Sequence, residues 1–149
     1  MRNKIVYFLV FVFILIAICF GFLFNKKNVP LEQISKLGYK NASIDNIVVD
    51  YPKPDSTVNN SFDITGKARG TWFFEASFPY IILDSNGTVI YGSFIKTTAD
   101  WMTTDFVPFT VSVTLPQSYK GRAMVVLKKD NPSGIFEKDA SVSFPIIIK

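Results

Sequence analysis

Histidine is missing from this sequence altogether, and cysteine occurs once, at position 19. The first absence removes the commonest general base and the commonest metal ligand together. The second excludes a disulfide within the chain and leaves the redox compartment open. No glycine loop cradles phosphate, no nucleophile elbow is present, and no basic–aromatic stripe runs along the chain, which sets aside nucleotide, hydrolase and nucleic-acid readings. No cofactor and no metal site is expected.

Long hydrophobic runs are confined to one place. From Ile5 to Phe24 the chain carries 20 residues without a charge, a length that spans about 30 Å as a helix and matches the hydrocarbon core of a bilayer. A cleaved leader has a shorter apolar region ending in a small-x-small site, whereas Ala17-Ile18-Cys19 lies inside this run. The bulky Ile18 before Cys19 also argues against a lipid-modified cysteine. Residues 1–24 are therefore expected to form an uncleaved membrane anchor. The net charge of +4 equals the contribution of Arg2, Lys4, Lys26 and Lys27, which flank the run, and the rest of the chain balances at twelve basic and twelve acidic residues. The short basic tail favours an N-terminus inside the cell and a domain outside the cytoplasm.

Residues 25–43 read as a stalk, with a short helix over 31–37 started by Pro30 and ended by Gly38. Beyond it the apolar period becomes two. Phe62, Ile64 and Ala68 alternate with polar residues; so do Val107, Phe109, Val111, Val113 and Leu115, and again Ala140, Val142, Phe144, Ile146 and Ile148. With noisier runs at 44–50, 72–84, 88–96 and 122–130, this gives seven strands separated by turn signals. Seven short strands at this spacing predict an all-β immunoglobulin-like sandwich over residues 44–149. Asp84-Ser85-Asn86-Gly87 reads as a hairpin turn and not as a calcium loop, for which the later acidic ligand is missing. Parity along 72–84 places Trp72, Phe74, Ala76 and Phe78 on the core face and leaves Phe73 and Glu75 on the other.

Three stretches carry a resemblance: ITGKARGTWFFEASFP at 64–79, WMTTDFVPF at 101–109 and KDNPSG at 129–134. In this order they resemble the immunoglobulin-like domain associated with bacterial spore germination. The resemblance covers about residues 44–149. It implies a bacterial, exported or membrane-anchored β-sandwich with a binding role and without catalytic residues or an established ligand. Such domains often accompany a germination-type domain, in whose place an anchor and a stalk are expected here.

If successive strands run alternately up and down, the loops at 69–71, 97–105 and 131–139 share one end of the sandwich, and the chain enters the domain near it. This end is the candidate recognition surface, built from Arg69, Trp72, Phe73, Glu75, Trp101, Asp105 and Asn131. The competing structural reading makes Trp101 a plug for the core, Arg69 a partner of Glu75 or Asp105, and Asn131-Pro132-Ser133-Gly134 a tight turn. Of these, an Arg69–Glu75 pair holding the corner is expected. A catalytic Glu75 would need a second carboxylate, Asp100 or Asp105, across a cleft. The expected role is a non-enzymatic binding or scaffolding module of the bacterial cell envelope, with the membrane, an envelope protein or a wall glycan as partners. The other readings are an accessory or degenerate subunit acting on wall polymer, and an assembly component pairing through an edge strand.

Overall fold

The computed structural model describes residues 37–149. The expected membrane helix from Ile5 to Phe24, and the expected linker as far as residue 36, lie outside the described residues. The described chain forms nine strands: β1 (Gly38–Lys40), β2 (Ile47–Tyr51), β3 (Ser56–Val58), β4 (Ser61–Arg69), β5 (Ser77–Asp84), β6 (Val89–Lys96), β7 (Phe106–Thr114), β8 (Gly121–Lys128) and β9 (Ser141–Ile148). They build two sheets. One has the order β1-β9-β8-β5-β6, with β3 also on β9; the other has the order β2-β4-β7.

All seven expected strands are present, and the fold is an all-β sandwich. Two strands were not anticipated. β1 lies inside the expected linker and pairs with residues 141–143 of β9, so the sheet begins before residue 44. β3 runs parallel to residues 146–148 of β9. Each has three residues, too few for a period of two to register. Pro145 sits where these two strands meet. Its carbonyl accepts the Asp55 N–H at 2.8 Å on the side away from β8, so the N–H that proline lacks would face the seam and not the ladder.

Inward residues follow strand parity. Phe62, Ile64 and Ala68 of β4, Val107, Phe109 and Val113 of β7, and Val142, Phe144, Ile146 and Ile148 of β9 are buried in one core with Phe78, Tyr80 and Ile82 of β5. Gly66 occupies an inward position of β4 because nothing larger fits. A Cβ there would stand 2.2 Å from the Val48 carbonyl oxygen and 2.7 Å from Cζ of Phe109.

The expected continuous strand over 72–84 is broken. Gly70–Trp72 forms a 3-10 turn, and β5 begins only at Ser77. Between them Phe74 and Ser77 exchange both backbone hydrogen bonds, at 2.9 and 3.0 Å, around Glu75 and Ala76, whose φ angles are +48° and +59°. This is a two-residue hairpin turn with both central residues left-handed, the type I′ arrangement. The turn resets parity. Phe73 is 5% exposed and belongs to the core, whereas Phe74 is 42% exposed and does not. The parity assignment of these two residues is therefore reversed.

Burial raises the Tyr39, Tyr80 and Tyr119 hydroxyls above the ordinary phenol range, Tyr80 most of all, with the neighbouring Tyr91 adding to its shift. In the unfolded chain these groups ionise near pH ~10. Their contribution to stability is complete below that value and is lost as pH rises through the higher folded values, because the unfolded state then binds fewer protons. Urea midpoints measured from about pH 8 to 12 should fall above the unfolded phenol pKa, and Tyr80→Phe should make the fall shallower; a flat profile contradicts this.

Candidate functional site

Four connections gather at one end of the sandwich: β1–β2 (residues 41–46), β4–β5 (70–76), β6–β7 (97–105) and β8–β9 (129–140). Backbone hydrogen bonds stitch them together. The Gly70 N–H donates to the Asp105 carbonyl at 3.0 Å, and the Asp130 N–H donates to the Trp72 carbonyl at 3.0 Å. The chain can approach this closely only because residue 70 has no side chain. A Cβ on Gly70 would stand 2.1 Å from the Thr103 carbonyl oxygen and 2.3 Å from that of Trp101. The loops expected to share an end do so.

The seven candidate residues meet different fates. Trp72 and Phe73 are buried, edge-on to Phe78 at centroid distances of 6.5 and 5.0 Å; Trp72 belongs to the core alone, and Phe73 forms part of the lining of a cleft. The indole N–H of Trp72 is buried without a hydrogen-bond partner among the described residues. Arg69 is half-buried. It donates from Nε to the Asp45 carbonyl at 2.9 Å and from Nη1 to the Thr104 carbonyl at 3.2 Å, and its guanidinium lies 4.1 Å from the Phe106 ring centre. The expected Arg69–Glu75 pair does not form, nor does one with Asp105. Glu75 sits on the left-handed turn and faces solvent, and Arg69 reaches carbonyls of two other connections instead. Planar stacking with a forked donor set suits arginine for this clamp.

Asn131 also works within its own loop. Its amide donates to Asp139 Oδ1 at 2.7 Å and to the Ile135 carbonyl at 2.8 Å, and the Gly134 N–H closes the Asn131–Gly134 turn at 3.1 Å. Asp105 is exposed, its backbone carbonyl holding Gly70. Trp101 is half-buried against the core and lines a shallow cleft of about 360 Å³ with Gly70, Thr71, Phe73, Met102, Thr103 and Thr104. Of the two tryptophans only Trp101 offers a surface. That cleft contains no carboxylate. A second, by the β3–β4 connection, holds Asp63 alone; a third, between the end of β6 and β7, holds none. No described cleft therefore supplies the paired carboxylates that glycoside hydrolysis needs.

The sequence reading missed the side chains that this end exposes. Ile44, Phe74, Met102, Ile135 and Phe136 protrude from all four connections, with Met102 79% and Phe136 68% exposed. Lys40 lies 4.8 Å from the Phe136 ring centre. Exposure sets them apart from buried apolar neighbours in the same loops, such as Phe73 beside Phe74, and only the fold brings the four connections that carry them to one end. The same connections carry seven acidic residues (Asp45, Glu75, Asp100, Asp105, Asp130, Glu137, Asp139) and two basic ones (Lys129, Lys138).

A model of the Gmad2 family, described as the immunoglobulin-like domain of bacterial spore germination, matches residues 46–135. No curated protein and no solved structure matches the chain. The matched span includes two of the four connections in full, the β8–β9 connection as far as residue 135, and the entire Gly70 contact.

Two substitutions test the architecture of this end. Gly70→Ala forces a methyl group against two carbonyls and should cost at least ~2 kcal/mol, beyond ordinary overpacking of about 1–3 kcal/mol only if the loops separate. Ala76→Gly relieves a left-handed alanine and should stabilise by about 1 kcal/mol. Thermal or urea melts read both, and equal midpoints for the two variants count against the close approach at Gly70 and the left-handed turn at Ala76.

Proposed function

The chain belongs to the immunoglobulin-like domains of bacterial spore germination, and from this we propose that it is a binding or scaffolding module held at the outer face of the cell membrane by its N-terminal apolar segment. The module recognises an envelope protein through the end where the four connections meet. The observation that carries this reading is the exposure of five apolar side chains on the connections at this end, one of which, Met102, lines the Trp101 cleft. Such patches on a small domain, rimmed by charge, are characteristic of protein-binding surfaces.

The charge of the rim narrows the partner. With Lys40 over the Phe136 ring and Arg69 at the edge of the connections counted too, seven acidic residues stand against four basic ones, a net acidic balance that disfavours anionic lipid headgroups and anionic wall polymers. It complements a protein surface with an apolar centre and a basic surround. A single half-buried tryptophan gives little stacking area for a glycan. The patch has no catalytic constellation around it, which supports binding over chemistry. Anchoring confines the domain to a thin layer beside the membrane and raises its effective concentration for partners there.

Photo-crosslinking residues placed at Met102 and Phe136 of the full chain in living cells, with Asn86 at the opposite hairpin as the control, test the surface. Adducts to protein should form from the first two positions only, and their yield should fall as added salt screens the rim. Equal labelling from all three positions would defeat the proposal. Protease added to intact cells should remove the domain; digestion only after lysis would sink the outward orientation.

A further inference from the structure

A sheet edge presents unpaired N–H and C=O groups, and proteins usually shield it with short strands, bulges, proline or charge. Among the described residues three edges follow that rule. The outer edge of β9 is covered by β1 and β3, of three residues each. β2 has five residues and an irregular register between Val49 and Tyr51. β7 contains Pro108, whose carbonyl accepts a hydrogen bond from the Thr97 hydroxyl at 3.4 Å. β6 follows it least. It closes the order of the larger sheet, runs for eight residues without proline, and carries no charge before Lys96; its one register irregularity leaves Ile90 as an extra residue against Ile82 and Leu83 of β5, and from Tyr91 to Lys96 the register is regular. Gly92, Ser93 and Phe94 are exposed in its middle.

Ladder geometry fixes which backbone groups are free. The Thr97 N–H donates to the Ala76 carbonyl at 2.9 Å, just beyond the Ser77–Lys96 pair. Bonded and non-bonded pairs alternate in an antiparallel ladder. Ile95 and Ser93 therefore bond to Phe78 and Tyr80, and Gly92 and Phe94 turn their N–H and C=O groups away from β5 toward the open edge.

We infer that β6 pairs antiparallel with β6 of a second copy of this chain, about a two-fold axis at Ser93. In this register Phe94 of each copy lies opposite Gly92 of the other, and the four outward backbone groups of each copy's Gly92 and Phe94 are satisfied. The Phe94 ring is 53% exposed. Opposite it Gly92 has no side chain, and a Cβ there would be in ordinary contact with an Ile81 methyl carbon at 3.4 Å and the Tyr80 carbonyl oxygen at 3.7 Å, so a ring laid over the glycine packs beside Ile81. An aromatic side chain covering a cross-strand glycine is a stabilising pair. Lys96 falls toward the uncharged Ile90, the extra residue of the β6 irregularity, so no like charges meet. Shifting the register by two residues sets glycine against glycine, or Phe94 against Phe94 with Gly92 against Lys96, and loses the ring-over-glycine fit. Each protomer has one such edge, and a two-fold contact uses both, so assembly stops at the dimer. This surface is separate from the loop end, and the inference stands whatever the loop end binds.

The single cysteine makes a direct test available. In full-length protein carrying Cys19→Ser, in detergent micelles, Ser93→Cys places two thiols across a non-bonded antiparallel pair, where Cα atoms lie about 4.5 Å apart, within disulfide reach. Mild oxidation should convert Ser93→Cys to a covalent dimer, whereas Asn86→Cys should show only collisional linking. Adding the surface change Phe94→Lys to Ser93→Cys should return it to that background. In the unmodified chain the amides of Gly92 and Phe94 should gain protection from hydrogen exchange as concentration rises. Linking of Ser93→Cys no faster than Asn86→Cys, indifference to Phe94→Lys, or unprotected amides at every concentration would each overturn the pairing.

Discussion

Phe78 makes edge-to-face contacts with Trp72, Phe73 and Phe109, and its ring centre lies 5.3 Å from that of Phe109 on the opposite sheet. The chain must cross from β4 in the smaller sheet to β5 in the larger one immediately before this residue. Edge-to-face pairs contribute about 0.5–1.5 kcal/mol each beyond the area they bury, so the crossing is fixed by packing as much as by hydrogen bonds. That requirement explains the local backbone. To bury both Trp72 and Phe73 and still enter β5 with Phe78 inward, the chain coils through a 3-10 turn and then reverses in a tight hairpin. Glu75 and Ala76 take the left-handed positions of that hairpin although neither is glycine or asparagine, a conformation that costs about 1–2 kcal/mol per residue.

Strain of this kind persists only where the surroundings determine it. Here they do. On one side the aromatic knot holds Phe73 in the core; on the other the Thr97 N–H bonds to the Ala76 carbonyl. Gly70 then ties the same segment to the β6–β7 connection, and Asp130 ties it to the β8–β9 connection. Arg69 adds the fourth tie, reaching the carbonyl of Asp45 and so the β1–β2 connection. The result is a loop end whose four connections are tied together by backbone hydrogen bonds and by Arg69. Its surface exposes Phe74, Met102, Ile135 and Phe136 among acidic side chains such as Glu75 and Asp105. A pre-organised surface loses little entropy on binding, which gives an internally cross-linked end an advantage over mobile loops of the same composition.

Strands long enough for two or more repeats of the apolar period were legible in the sequence, and β4, β7 and β9 fall within a residue or so of their expected limits. The gathering of the loops at one end followed from strand alternation alone. The reading failed where a short-range turn interrupted the period. Nothing in Trp72-Phe73-Phe74-Glu75-Ala76 announces a left-handed turn, since its usual residues are absent, and parity then carried Phe74 inward and Phe73 outward. Arg69 and Glu75 looked like partners because charge pairs are what sequence proximity suggests. The carbonyls that Arg69 binds belong to Asp45 and Thr104, positions whose side-chain identities say nothing about their backbone oxygens. The exposed apolar side chains were illegible as a group for a related reason: they are spread over four connections far apart in sequence.

The two surfaces are coupled to the core by the same strand. β6 carries Ile95 into the interior opposite Phe78, while Phe94, one residue earlier, projects from the outer face beside Pro79. A side chain fully buried next to one more than half exposed holds the strand to a single register, because a slip of one residue would exchange them. The edge of β6 is therefore positioned by the same aromatic cluster that sets the loop end. It is also long enough to pair and regular from Tyr91 to Lys96, whereas β7, one residue longer, is spoiled by Pro108. A dimer formed there would leave each loop end unobstructed as far as strand pairing is concerned, since the contact is centred on Ser93 and the connections begin beyond Lys96. Joining the two copies along β6 would thus present two recognition ends from one continuous sheet, and a partner bearing two matching sites would be held by both at once, with an affinity gain set by the fixed spacing between them.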